Sequence, residues 1–163
     1  MTTRSRRDAA PDPRDVPGDF AHVHRVEVRL ADTDAMGHVN NAAYLTYVEI
    51  ARVAYYEQVT GQPLPLGVHG SEEGMILAEI RMTYRSQAYF GETLAIETRV
   101  ERIGRTSFTM IHRITAPASR YGAQRLVAVA ESILVSYDYR EDKPIPVPDD
   151  WRAGIAALEG RGF

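Results

Sequence analysis

The sequence predicts an α+β domain in which one long central helix is wrapped by a five-stranded antiparallel sheet. Three observations carry this. Between residues 44 and 59, Tyr44, Val48, Ala51, Tyr55 and Val59 recur at helical spacing, and Leu45, Ile50 and Ala54 widen the apolar girth beyond a single stripe. The remaining periodic segments alternate with period two, one before this helix and four after it, bounded by turn residues. A helix apolar over so much of its surface must be covered, and strands are the material available to cover it.

Each element has its own justification. Residues 1–20 are rich in Arg, Asp and Pro with little that is apolar, which predicts a disordered arm ahead of a domain over 21–149. From His22 to Leu30, Val26, Val28 and Leu30 point one way and Arg25, Glu27 and Arg29 the other, as in a half-buried strand. Asn40 or Asn41 is a suitable helix N-cap, and Gly61 with Pro63 beyond it ends the helix near Val59. Residues 62–74, with two prolines and three glycines, read as a loop, either a plain connection or a flap.

Four strands are expected next, at Met75–Arg85, Glu92–Ile103, Thr106–Thr115 and Arg125–Tyr139. The turn chemistry of Phe90-Gly91-Glu92 and Ile103-Gly104-Arg105 separates them. In the second of these strands Leu94, Ile96, Thr98 and Val100 alternate with Thr93, Ala95, Glu97, Arg99 and Glu101, as in a sheet with one wet face. Pro144, Pro146 and Pro148 terminate the last strand. Residues 150–163 read as a short helix, Trp151 to Leu158, with a tail.

Composition narrows the function. The 163 residues carry a formal net charge of −3, without the basic footprint of a nucleic-acid binder, and all 19 basic residues but Lys143 are arginine. The absence of cysteine removes disulfides, thiolate-ligated zinc and a Cys nucleophile together. No apolar run reaches membrane-span length, and the first residues lack the apolar core of a signal peptide, so the chain reads as soluble and cytoplasmic. There is no Gly-x-Ser-x-Gly elbow, P-loop or dinucleotide fingerprint. His22 and His24 share a strand face but have no third metal ligand nearby, and His69 and His112 belong to no constellation.

The chemistry concentrates between the first strand and the helix, in Ala31-Asp32-Thr33-Asp34-Ala35-Met36-Gly37-His38-Val39-Asn40-Asn41. Gly37 permits a positive φ or close approach to a ligand. The helix that follows presents its first free N–H groups to this loop, a setting that favours negative charge. A carboxylate beside such a terminus can hydrolyse an ester-like bond. If Asp32 holds the loop, Asp34 is free to face a substrate. Glu49 is a second carboxylate on the helix, three residues before Arg52, with which it could form an ion pair.

The run Asp34-Ala35-Met36-Gly37-His38-Val39-Asn40-Asn41-Ala42-Ala43-Tyr44-Leu45-Thr46-Tyr47-Val48-Glu49-Ile50-Ala51-Arg52 resembles the signature of acyl-CoA thioesterases of the 4-hydroxybenzoyl-CoA thioesterase type. Tyr89-Phe90-Gly91-Glu92 and Gly104-Arg105-Thr106-Ser107 fit the same pattern, so the resemblance spans roughly Val23 to Pro148. It implies a hotdog fold and hydrolysis of an acyl-CoA to free acid and coenzyme A. Asp34 would be the nucleophile or general base, and the N–H of Asn41, seven positions on, the oxyanion donor. His38 and Glu49 would be secondary catalytic candidates. Gly37, Asn40, Tyr44, Arg85, Ser86 and Ser107 would meet the substrate. No metal or prosthetic group is implied; coenzyme A enters as part of the substrate. The resemblance also implies a homodimer or dimer of dimers with the active site between subunits, and neither a nucleic-acid nor a membrane partner.

The Gly-His-Val-Asn-Asn segment is also similar to plant acyl-carrier-protein thioesterases, although Met36 stands where those carry asparagine. Related hydratases place His five residues after Asp, whereas His38 follows Asp34 by four. An acyl-carrier-protein substrate, enoyl-CoA hydration and non-hydrolytic acyl binding are therefore the alternatives.

Overall fold

The computed structural model of the protein describes residues 19–63 and 73–163. The expected N-terminal arm (all but its last two residues), most of the 62–74 loop and His69 lie outside the described residues. The elements are β1 (His22–Glu27), a 3-10 turn (Leu30–Asp32), α1 (Asn41–Thr60), β2 (Glu73–Tyr84), β3 (Thr93–Ile103), β4 (Ser107–Ala116), β5 (Arg125–Asp138), β6 (Lys143–Pro144) and α2 (Asp149–Glu159).

Strands β1 to β5 form one antiparallel sheet in the order β1-β3-β4-β5-β2, which α1 packs against. The five expected strands are present. The two-residue β6, which pairs with Tyr137 and Asp138 at the end of β5, is an addition that the proline-rich sequence conceals. At the other end of the chain, β1 stops three residues earlier than expected. The Arg29 N–H donates to the Asp32 carboxylate at 2.9 Å instead of continuing the ladder. Leu30 consequently turns out to solvent, 69 % exposed, rather than following Val28 into the core.

Helix α1 has the boundaries its caps dictate. Asn40, rather than Asn41, is the N-cap: its Oδ1 accepts from the Ala42 N–H at 2.9 Å. At the other end Gly61 adopts φ 67°, the left-handed conformation glycine tolerates best, and its N–H donates to Glu57 O. Tyr44, Tyr47, Val48, Ala51 and Tyr55 are buried as the periodicity requires, but so is Arg52, only 7 % exposed. Glu49 lies on the exposed face, and no ion pair joins it to Arg52.

The core falls into two apolar clusters. One centres on Tyr44, Tyr47, Val48 and Ala51 with Leu94, Ile96, Ile114 and Ala130; the other centres on Tyr55 with Val100, Met110, Leu134, Trp151 and Ile155. A buried polar belt separates them. Helix α1 and strands β3, β4 and β5 each contribute to it at the changeover: Arg52 between Ala51 and Tyr55, Thr98 between Ile96 and Val100, His112 between Ile114 and Met110, Ser132 between Ala130 and Leu134. Thr98 and His112 pair across β3 and β4, and Thr98 Oγ1 lies 3.0 Å from His112 Nδ1. His112, unassigned from the sequence, is thus a core residue held by a specific partner. Burial, aided by the charge of Arg52, pushes it down to about 3, so it is neutral.

Helix α2 closes the second cluster. Gly154 lies so close to α1 that a Cβ there would sit 2.6 Å from Val59 O. Glu159 Oε1 accepts from the Tyr55 hydroxyl at 2.5 Å and from the Val100 N–H at 2.7 Å, beside the β-bulge between Val100 and Arg102. The C-terminal segment is therefore part of the core.

Candidate active site

The loop from β1 to α1 is organised around Asp32. Its carboxylate is buried and accepts from the Arg29 N–H, from Arg29 Nε at 3.1 Å and Nη2 at 2.8 Å, and from the Tyr47 hydroxyl at 2.8 Å. These bonds, led by the Arg29 side chain and opposed by burial, bring its pKa down to about 2. The Asp32 carbonyl accepts from the Asn40 N–H at 2.8 Å, joining the two ends of the loop. Inside it, Thr33 bridges Val39, the Asp34 N–H donates to His38 O at 3.0 Å, and the Gly37 N–H donates to Asp34 O at 3.0 Å. Gly37 makes this tight path feasible with φ 81°.

Asp34 is partly held as well. Its Oδ1 accepts from the Met36 N–H at 2.9 Å, an Asx turn, while Oδ2 has no hydrogen-bond partner among the described residues. His38 Nδ1 lies 4.0 Å from Asp34 Oδ1.

Beside this loop opens a cleft of about 310 Å³ lined by His38, Val39, Asn41, Tyr44, Tyr84, Arg85, Ser86 and Gln87. Helix capping leaves a particular donor here. The cap side chain takes the Ala42 N–H and the Asn40 carbonyl takes the Ala43 N–H at 3.0 Å, whereas the Asn41 N–H has no acceptor among the described residues. The Tyr84 hydroxyl donates to Asn41 O at 3.2 Å, and its ring is 5.5 Å from that of Tyr44. Burial pushes the Tyr44 phenol up to about 12. Burial raises the Tyr84 phenol as well, so both tyrosines are neutral walls rather than bases.

Of the residues singled out from the sequence, His38, Asn41, Tyr44, Arg85 and Ser86 meet at this cleft. Asp34 adjoins it through His38, while Gly37 and Asn40 shape its loop. The Ser86 hydroxyl is committed to Leu126 O at 2.6 Å. Glu49 and Ser107 are not brought here. Glu49 faces solvent further along α1, and Ser107 pairs with Val135, ten residues along β5 from the Arg125 end that borders the cleft. Tyr84 is a cleft residue that the sequence reading misses, although its place at the strand end just before Arg85 is a readable signal.

Among the described residues no group of three or more His, Cys, Asp or Glu is placed to hold a metal ion, and no helix is long and apolar enough to cross a membrane. His22 instead lies 2.5 Å from Gln58 Oε1 and packs edge-on against Tyr55.

Comparison with known proteins places this geometry in context. Residues 28–155 match the family model described as the thioesterase-like superfamily. A thioesterase from Thermus thermophilus, crystallised with coenzyme A and Zn, superposes with a TM-score of 0.74 at 32 % identity, covering 89 % of this chain and 98 % of that one. YneP of Bacillus subtilis (strain 168), named as a candidate acyl-CoA thioesterase, is 28 % identical over 120 residues, 74 % of this chain and 82 % of its own. YsmA of the same organism, which has no assigned activity, is 26 % identical over 91 residues; the match spans 56 % of this chain and 58 % of YsmA.

Proposed function

The chain belongs to the thioesterase-like superfamily, with the hotdog fold of that group, and from this premise we propose that it hydrolyses an acyl-CoA to a free acid and coenzyme A. The observation that carries the reading is the juxtaposition of one uncommitted N–H at the start of α1, that of Asn41, with a cleft whose neighbouring loop bears Asp34.

In the proposed mechanism the thioester carbonyl accepts from the Asn41 N–H. Negative charge grows on that oxygen as the carbonyl carbon becomes tetrahedral, and the terminus of α1 stabilises it. Asp34 uses Oδ2 in one of two ways. As general base it takes a proton from the attacking water, and collapse of the intermediate expels the thiolate of coenzyme A and leaves the free acid. As nucleophile it attacks the carbon, and collapse expels the same thiolate and leaves an acyl–Asp34 anhydride; water then cleaves that anhydride to the free acid and restores the carboxylate. The Asx turn holds Asp34 through Oδ1, so orientation of the carboxylate does not consume the reacting oxygen. His38, which lines the cleft with its Nδ1 4.0 Å from Asp34 Oδ1, shapes the approach. Tyr44 and Tyr84 form the acyl wall, and Arg85 at the mouth suits a phosphate of coenzyme A. A site completed by a second subunit is part of the same proposal; Glu49 and Ser107 do not line this cleft and have no role in the mechanism.

Free-thiol release from a panel of short, long and aromatic acyl-CoAs tests the reading. Catalytic release with stoichiometric free acid is expected for at least one acyl class. Hydration of an enoyl-CoA without thiol release would overturn it.

A further inference from the structure

The Tyr89-Phe90-Gly91-Glu92 segment has no part in the chemistry above, yet it contains one of the most deeply buried carboxylates among the described residues. Glu92 Oε2 accepts from the Tyr89 N–H at 2.9 Å and from Arg125 Nη2 at 2.6 Å, and Oε1 accepts from Ser119 Oγ at 2.6 Å. Arg125 in turn donates from Nε to Gln87 O at 3.0 Å, with its guanidinium 5.7 Å above the Tyr89 ring. The ion pair therefore grips the chain on both sides of Ala88. Ala88 is fully buried, and its carbonyl accepts from the Val39 N–H at 2.9 Å.

Val39 lies two residues before Asn41. The Asp32 carbonyl anchors the intervening Asn40 N–H. The donor loop is thus held at two adjacent amides, from the β1 side by Asp32 and from the sheet side by Ala88.

We propose that Glu92 and Arg125 are positioning residues of the cleft, acting through the Ala88 carbonyl on the loop that presents the Asn41 N–H. This rests on the oxyanion role proposed for Asn41. Neither side chain lines the cleft, so neither is asked to touch substrate. A purely structural pair would distribute its effect over the whole fold. A positioning pair concentrates its effect on Val39, Asn41 and the step that needs the oxyanion donor.

The test compares Glu92→Gln, and Arg125→Lys as the charge-conserving partner, with Gly154→Ala, which strains the distant α1–α2 contact. Two readouts are needed, on the full chain well below its melting temperature. The first is hydrogen exchange at the Val39 amide relative to the slowest core amides. It is expected to accelerate at least about tenfold in Glu92→Gln and not in Gly154→Ala. The second is steady-state thiol release. Glu92→Gln is expected to lose about ten- to a hundredfold in kcat with little change in KM, the penalty of a donor displaced by roughly an ångström. Arg125→Lys should fall between, while Gly154→Ala retains its kcat.

Unchanged Val39 exchange in Glu92→Gln overturns the inference, as does a Val39 change matched by Gly154→Ala. If the wild type releases no thiol from any acyl-CoA, the hydrolase reading fails, and the exchange readout still decides whether the pair positions the loop. Faster Val39 exchange with unaltered kcat would refute the catalytic half.

Discussion

Among single residues, the two aspartates of the loop differ in their surroundings, and the proposed mechanism assigns chemistry only to Asp34. Asp32 is buried against Arg29 and Tyr47, while Asp34 keeps one oxygen uncommitted. His112 makes stability depend on pH. Its pKa is about 3 in the folded chain against an ordinary 6.5. As pH falls below 6.5 the unfolded chain takes up a proton that the folded chain refuses, so stability is lost at up to about 1.4 kcal/mol per pH unit until the folded pKa is reached. Asp32 adds its own loss only lower, between its ordinary 3.8 and about 2. Chemical denaturation at pH 7, 6, 5 and 4 should show this slope in the wild type and a flattened one in His112→Gln; equal slopes would contradict the neutral buried imidazole. Sequence could not reveal this residue, because its significance comes from Thr98 and Arg52, fourteen and sixty residues away.

At the level of elements, local signals were the legible ones. The N-cap asparagine, the Gly61 stop and the alternation in β3 depend on residues near one another in the chain, and they place α1 and the sheet correctly. What escaped was set by long-range contacts. Arg52 reads as the partner of a surface Glu49, but the sheet covers that side of the helix and turns it into a core residue. The two-residue β6 exists only because β5 offers it an edge. Gly154 likewise looks incidental until α2 is seated on α1. Gly154→Ala places a methyl 2.6 Å from Val59 O and forces the helices apart. The expected loss is about 1–3 kcal/mol, a fall in Tm of roughly 2–10 °C. An unchanged melting curve would show that the contact is not tight in solution.

At the level of the whole molecule, the cleft, the outer face of α1 and the free edge of the sheet bear on assembly. Leu45 and Ile50 on the outer face of α1 are 43 % and 41 % exposed, and β2 is a twelve-residue edge strand paired, among the described residues, on one side only. Long unpaired edges and exposed apolar helix faces invite a second copy. Light scattering is expected to give at least about twice the 18.2 kDa chain mass, and Ile50→Asp to weaken association and turnover together; a fully active monomer would contradict the inter-subunit site. The family signature made the loop readable in the sequence as the candidate site, because Asp34, His38 and Asn41 are neighbours in the chain. In the wall opposite, from a strand end more than forty residues away, Arg85 and Ser86 were reached through the resemblance, whereas Tyr84 and its contact with Asn41 O became visible only on folding. The most direct test of the account is the rate of thiol release by Asp34→Asn on the best acyl-CoA substrate, with fold and assembly state verified. The account predicts a loss of about 10²–10⁴ in kcat, the usual contribution of a positioned carboxylate base. Near wild-type turnover in a folded, assembled variant would contradict it and remove Asp34 from the chemistry.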